Sequence, residues 1–287
     1  MRFPVTPAKT AAAAGALLAA ALPLLAAAQE SREGWTVGKP HPEGIGFQTP
    51  VTPVMHDVVW LDNLLLILIT AISLFVTALI AWCAFRYNAK SNPTPKRFTH
   101  NAVVEVVWTA VPVVILVVMA IPSLRLLFFQ LEVPESDMTI KAIGNQWYWS
   151  YEYPDDDISF DSFMVTEDEL GEYGYESDEH LLATDERVVV PVGKTVKMLV
   201  TGSDVIHAWA MPAFGVKVDA VPGRMNDTWF KVEQPGLYFG QCSELCGKDH
   251  TYMPIVVQAV PEEDYEAWKS KMLARQNGGS VEFAAAE

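Results

Sequence analysis

Three long apolar runs occupy the first half of the chain, and short runs of alternating character occupy the second. The first run, Ala11–Ala28, follows Arg2 and Lys9 and closes on Ala26-Ala27-Ala28. A positive start, an apolar middle and small closing residues predict a secretory signal peptide over residues 1–28, leaving an exported segment over 29–57. In the second run, Val58 to Phe85, the only charge is Asp62, and the third, Val106 to Ser123, carries none before Arg125. Each is long enough for a helix to cross the ~30 Å of bilayer hydrocarbon. They predict transmembrane helices over residues 58–86 and 104–131. Pro112 and Pro122 fall inside the second span, where neighbouring helices can satisfy the backbone groups they free.

The connection over residues 87–103 sets the orientation. Arg86, Lys90, Lys96 and Arg97 surround it, with no acid before Glu105. By the positive-inside rule the loop is cytoplasmic, so everything after the second span is exported. The signal peptide demands the same topology.

Over residues 132–262 the pattern becomes short runs rich in Val, Tyr, Trp and Phe, separated by Pro and Gly. Seven read as strands: Met138–Ile143, Gln146–Tyr153, Arg187–Val190, Thr195–Val200, Thr228–Val232, Gly236–Gln241 and Ile255–Ala259. The predicted fold is a membrane α-helical hairpin followed by an all-β barrel or sandwich. Residues 263–287 read as a C-terminal helix and a Gly- and Ala-rich tail.

A net charge of −15 excludes nucleic acid as a partner and favours a basic one. Fourteen Asp or Glu residues against one Arg lie between Tyr151 and Val190. Such a run is usually a solvated face, but on one side of an exported domain it would also steer a basic protein.

The chemistry concentrates between Cys242 and Met253. Two thiols (Cys242, Cys246), an imidazole (His250) and a thioether (Met253) lie within this stretch, and His207 follows a β run upstream. A Cys242–Cys246 disulfide suits an oxidising compartment but leaves His250 and Met253 unexplained. Structural zinc has no use for Met253. Copper matches thiolate, thioether and imidazole together. A mononuclear blue-copper site would need one Cys, so Cys242 is surplus to it. Two thiolates can instead bridge two coppers, and a shared electron then moves with little rearrangement. Cys83, in the first span, reads as an ordinary buried thiol.

This loop resembles the binuclear copper (CuA) motif of subunit II of cytochrome c oxidases. So do Asn145-Gln146-Trp147-Tyr148-Trp149-Ser150-Tyr151-Glu152-Tyr153, Val221-Pro222-Gly223-Arg224 and the two-span hairpin. The resemblance implies a cupredoxin-like barrel after the hairpin. It implies that Cys242 and Cys246 bridge two coppers, that His207 and Met253 complete one, and that His250 with the Glu244 backbone carbonyl completes the other. The Glu244 side chain would bind magnesium shared with subunit I, which holds the haem. Trp147 would be the electron entry point, although its alternation with Trp149, Tyr151 and Tyr153 also fits a core strand face. Glu152, Asp161, Asp185 and Asp204 would dock cytochrome c, and Glu105 would stand at a proton-path entrance. Asn145 departs from the family, where many members have His. The implied partners are subunit I, further oxidase subunits, cytochrome c and the bilayer, in a bacterial inner membrane with the C-terminal domain in the periplasm. A copper-delivery protein, a quinol oxidase subunit and a nitric- or nitrous-oxide reductase subunit are the rivals. They fit less well, because the hairpin and the complete ligand set occur together.

Overall fold

The computed structural model describes residues 35–278. The predicted signal peptide, the start of the exported segment and the end of the tail lie outside the described residues. Helix α1 spans Pro53–Arg86, 34 residues, and helix α2 spans Ala102–Leu131, 30 residues. The first begins five residues before the expected Val58, because Thr52 and Pro53 form a start signal. The Thr52 hydroxyl accepts from Met55 N at 3.1 Å, and proline at the first helical position presets φ. Asn101 caps α2 by accepting from Val104 N at 3.2 Å, and Glu105 accepts in return from Asn101 N at 3.2 Å. The apolar windows of both helices are unburied within the chain, as two lipid- or partner-facing spans require. Polar groups within α2 are satisfied locally. Thr109 and Ser123 donate to the carbonyls of Glu105 and Met119 at 2.9 and 2.8 Å. Cys83 is exposed on the surface of α1, not buried as expected.

The domain after the hairpin packs two main sheets. One has the order β1 (Thr36–Gly38), β10 (Gly236–Gln241), β11 (Pro254–Val260), β5 (Val188–Pro191). The other has the order β4 (Ile158–Ser162), β3 (Tyr148–Tyr153), β2 (Met138–Asn145), β6 (Thr195–Gly202), β9 (Asn226–Lys231). A separate pair, β7 (His207–Met211) and β8 (Val216–Ala220), runs antiparallel. Alternate residues of β2, β3 and β6 face inward, so Ile140, Ala142, Trp149, Tyr151, Tyr153, Val196, Met198 and Val200 build the core. The Tyr153 hydroxyl is satisfied inside it: Oη donates to Val189 O and accepts from Val189 N, both at 3.0 Å. This is the cupredoxin-like arrangement that the resemblance implies.

Strands β1, β4, β7 and β8 escaped the sequence reading. All five residues of β7 are buried, so no alternation marks it. The short β4 sits inside the acidic run and alternates through only Ile158, Phe160 and Ser162. The predicted strand Gln146–Tyr153 is in fact shorter. Asn145 pairs with Tyr148, so Gln146 and Trp147 form the two-residue turn between β2 and β3.

Hairpin and barrel are joined at both helices. Val51 N donates to Ala213 O, Val51 O accepts from Glu233 N, and Thr52 Oγ1 donates to Phe214 O at 2.8 Å. From α2, Phe129 O accepts from Trp229 Nε1 at 3.3 Å. After β11, helix α3 (Glu262–Gln276) lies against the barrel, with Trp268 packed on Tyr153 at 5.2 Å between ring centroids.

Candidate metal centre

Strands β10 and β11 pair right up to the connecting loop, the last residue of β10, Gln241, with the first of β11, Pro254, and that loop holds every candidate ligand except His207. Cys242 N donates to Met253 O at 3.2 Å and closes the neck of the loop. Ser243 N donates to Ala208 O at 3.0 Å, which ties the loop to the start of β7, where His207 stands. The sequence thus brings His207 to the loop through a strand whose first residue it is. Close approach is possible because Gly144 on β2 has no side chain. A Cβ there would lie 2.8 Å from the His207 ring. Gly247 serves the other side of the loop, with φ +131° and no room for a Cβ within 2.9 Å of Trp147 Cζ2.

The donor atoms converge. Cys242 Sγ lies 3.9 Å from Cys246 Sγ, 3.9 Å from His207 Nδ1 and 3.3 Å from the Glu244 carbonyl. Cys246 Sγ lies 3.5 Å from both His250 Nδ1 and Met253 Sδ. The two sulfurs are thiols, not a disulfide, whose bond would be about 2.05 Å. His207, Cys242, Cys246 and Met253 are all buried, while the His250 face is partly open.

Electrostatics agree with a cation at the centre. Burial disfavours ionisation of Cys242, but His207 and the nearby backbone donors outweigh it and bring that thiol below its ordinary value. Burial pushes Cys246 up, and the neighbouring Cys242 charge pushes it further. Two thiolates side by side would repel, and only positive charge between them lets both ionise. Burial opposes a charged His207, yet Cys242 and Asp204 more than compensate and raise its pKa. Two thiols, two imidazoles, a thioether and a carbonyl therefore fit copper, the soft metal that accepts this mixture.

The remaining predicted residues fall into three places. Trp147 lies beside the loop, half-buried in the turn and not on the core face formed by Trp149, Tyr151 and Tyr153. Its Nε1 donates to Cys246 O at 3.3 Å, and Lys248 Nζ stands 5.3 Å from the centre of its ring. The Glu244 side chain is exposed on the loop. The four acids are each engaged within the chain. Glu152 pairs with Lys141 at 3.0 Å, and Asp161 accepts from Ser150 Oγ at 2.6 Å. Asp185 accepts from Phe163 N and Glu186 N, both at 2.7 Å, while its burial raises its pKa. Asp204 touches His207 itself, at 2.9 Å. Glu105 lies far along the chain at the start of α2, part of that helix's cap. Asn145 donates to Ser150 Oγ and accepts from Ser203 Oγ, and is not among the converging donors. Gln146 has no role assigned from the sequence beyond its place in the Asn145–Tyr153 stretch, yet its Nε2 donates to Cys246 O at 2.9 Å. Nothing in its type or spacing distinguishes it from a turn residue.

Comparison with known proteins gives concordant matches. Residues 138–260 match the family described as cytochrome C oxidase subunit II, periplasmic domain, and residues 40–126 match its transmembrane domain. Cytochrome c oxidase subunit 2 of Cereibacter sphaeroides is 49% identical over 298 residues, covering 99% of this chain and 96% of that protein. The probable cytochrome c oxidase subunit 2 of Rickettsia felis is 45% identical over 249 residues, covering 86% of this chain and 78% of that protein. Among solved structures, the periplasmic domain of subunit II of the Bradyrhizobium japonicum cytochrome oxidase is 49% identical. It covers 50% of this chain and 99% of that one, with a TM-score of 0.46.

Proposed function

This chain belongs to the cytochrome c oxidase subunit II family, and from that premise we propose that His207 and the Cys242–Met253 loop hold a binuclear copper centre receiving electrons from cytochrome c. As a subunit of cytochrome c oxidase the chain is an oxidoreductase component anchored in the membrane. The observation that carries the copper reading is the convergence of both thiols with two imidazoles, a thioether and a carbonyl in one buried loop. When bound, the metal pair supplies a one-electron couple.

The protein's own groups do the rest. Cys242 and Cys246 would bridge the pair. His207 and Met253 would complete one ion, and His250 with the Glu244 carbonyl the other. Cys242, Cys246 and Met253 are buried, so their sulfurs are shielded from solvent and the site would change charge with little solvent reorganisation. Trp147 joins the outer surface to Cys246 through its hydrogen bond to the Cys246 carbonyl, which makes it the natural entry for electrons. Gln146, Tyr148, Phe163, Asp249 and Tyr252 line a shallow hollow around that ring, where the flat edge of an electron donor can rest. Glu152, Asp161 and Asp185 stand on the acid-rich part of the same domain and would attract the basic face of cytochrome c.

Partner-dependent roles follow the family. The exposed Glu244 carboxylate would share magnesium with subunit I, whose haem takes the electrons onward to oxygen in a reaction coupled to proton pumping. Glu105, at the loop end of α2, would stand at a proton entrance. The hairpin would sit in a bacterial inner membrane beside subunit I and further oxidase subunits, with the barrel in the periplasm. Metal analysis and EPR of the purified oxidase test the centre. The expected result is a mixed-valence signal delocalised over two coppers that disappears in Cys242→Ser. A single copper with an ordinary four-line spectrum would sink the reading.

A further inference from the structure

One of the four acids assigned to docking is held quite differently from the others. Asp204 Oδ1 accepts from Val205 N at 2.6 Å and meets His207 Nε2 at 2.9 Å, while Oδ2 accepts from Gln146 N at 2.8 Å. Its side chain retains 35% exposure, yet its two oxygens serve three N–H donors. The connection continues beyond Gln146. The side chain of that residue donates to Cys246 O at 2.9 Å, alongside Trp147 at 3.3 Å. A chain of hydrogen bonds therefore runs His207–Asp204–Gln146–Cys246. It spans the two segments that supply the metal donors: the start of β7 and the loop between β10 and β11.

Each bond has a consequence for the donors. An imidazole that gives its Nε2 proton to a carboxylate keeps Nδ1 unprotonated and more basic. Nδ1 is the atom that faces Cys242 Sγ, at 3.9 Å. The carboxylate also stops the ring from turning, since His207 is wholly buried and stacked over Gly144. On the other side, the two donors on the Cys246 carbonyl fix the backbone that aims the Cys246 sulfur inward.

We propose that Asp204 and Gln146 form a clamp that positions the copper ligands, Asp204 setting the orientation and tautomer of His207 and Gln146 holding the loop at Cys246. This inference rests on the copper reading above. It makes Asp204 a positioning residue in addition to any part it plays in attracting cytochrome c. Because Trp147 follows Gln146 directly and shares the same carbonyl, the clamp also seats the proposed point of electron entry.

The test uses the intact oxidase with Asp204→Asn, Asp204→Ala and Gln146→Ala, and Asp161→Asn as a docking-acid control. Copper retention against a competing chelator, the EPR hyperfine pattern and the reduction potential of the centre are measured beside the KM for cytochrome c. Asp204→Ala is expected to weaken copper retention by about ten- to a hundredfold, the usual loss when a metal-bound imidazole is deprived of its outer partner. It should also raise the potential, because a less basic imidazole stabilises the oxidised centre less. Asp204→Asn keeps an oxygen for the Nε2 proton and should fall between wild type and Ala. Gln146→Ala should alter the EPR pattern with no change of charge, and Asp161→Asn should leave all three metal readouts alone. If Asp204→Ala raises only the KM and leaves retention, EPR and potential at wild-type values, Asp204 is a docking acid and the clamp is wrong. If the wild-type oxidase itself lacks a coupled two-copper signal, the copper reading falls and takes the clamp with it.

Discussion

Trp147 shows how much one residue's neighbours decide. Its spacing with Trp149, Tyr151 and Tyr153 is that of a strand face, and those three are buried as a core face should be. Trp147 is instead placed in the turn, since β2 and β3 already pair Asn145 with Tyr148. There its indole reaches Cys246 O and meets the surface at once. Phenylalanine would keep an aromatic ring but lose the N–H. Trp147→Phe in the oxidase is therefore expected to slow electron entry, measured by flash-induced reduction of the copper centre, while copper content stays at the wild-type level. Unchanged kinetics would remove Trp147 from the route. Cys242 is the second decisive residue: one thiol more than a blue-copper site uses, it lies within reach of Cys246, His207 and the Glu244 carbonyl together.

At the scale of elements, α3 shows what a charged, weakly amphipathic segment can do when the barrel offers it a partner. Tyr265 Oη donates to Asp156 at 2.8 Å, and Lys269 pairs with the same carboxylate. Burial, and then Asp156, push the Tyr265 hydroxyl far above its ordinary value of 10.0. For Lys269 the bond to Asp156 outweighs burial and raises it above 10.5. Both groups hold their protons more tightly in the folded protein than in the unfolded chain. Their contribution is thus fully present below about pH 10 and is lost as pH rises through the folded values. Alkaline titration should release α3 before the barrel melts. Fluorescence of Trp268, followed against a Trp268→Phe protein and beside far-UV dichroism, is expected to change first. A single transition in both signals would show that the helix and barrel open together.

Over the whole molecule, a net charge of −15 on a chain whose two apolar spans carry few charges concentrates acid in the β domain. Such a field speeds the approach of a basic partner more than it tightens the final complex. Converting Glu152 and Asp161 together to Gln and Asn should raise the cytochrome c KM at low salt and flatten its ionic-strength dependence, with the copper spectrum unaltered. A salt profile that matches wild type would make both acids ordinary surface groups. The same scale explains why the barrel can serve a membrane enzyme. It is fastened to the hairpin on both sides, through Thr52 and Phe214 at α1 and through Trp229 and Phe129 at α2, so the metal loop keeps a defined position over the spans.

The sequence by itself determined the hairpin, the β character of the second half and the loop that gathers the candidate ligands. These depend on local properties: the length of apolar runs, the alternation of short runs, and donor types packed within twelve residues from Cys242 to Met253. Tertiary structure alone decided where Trp147 stands, which atom of His207 faces the thiols, and that Asp204 and Gln146 hydrogen-bond to His207 and Cys246. Those facts require residues far apart in the chain to meet across β2, β7 and the β10–β11 loop. A hydrogen bond between distant segments leaves no periodicity behind it, so a carboxylate that looks like surface charge along the chain becomes, once folded, the partner of a buried imidazole.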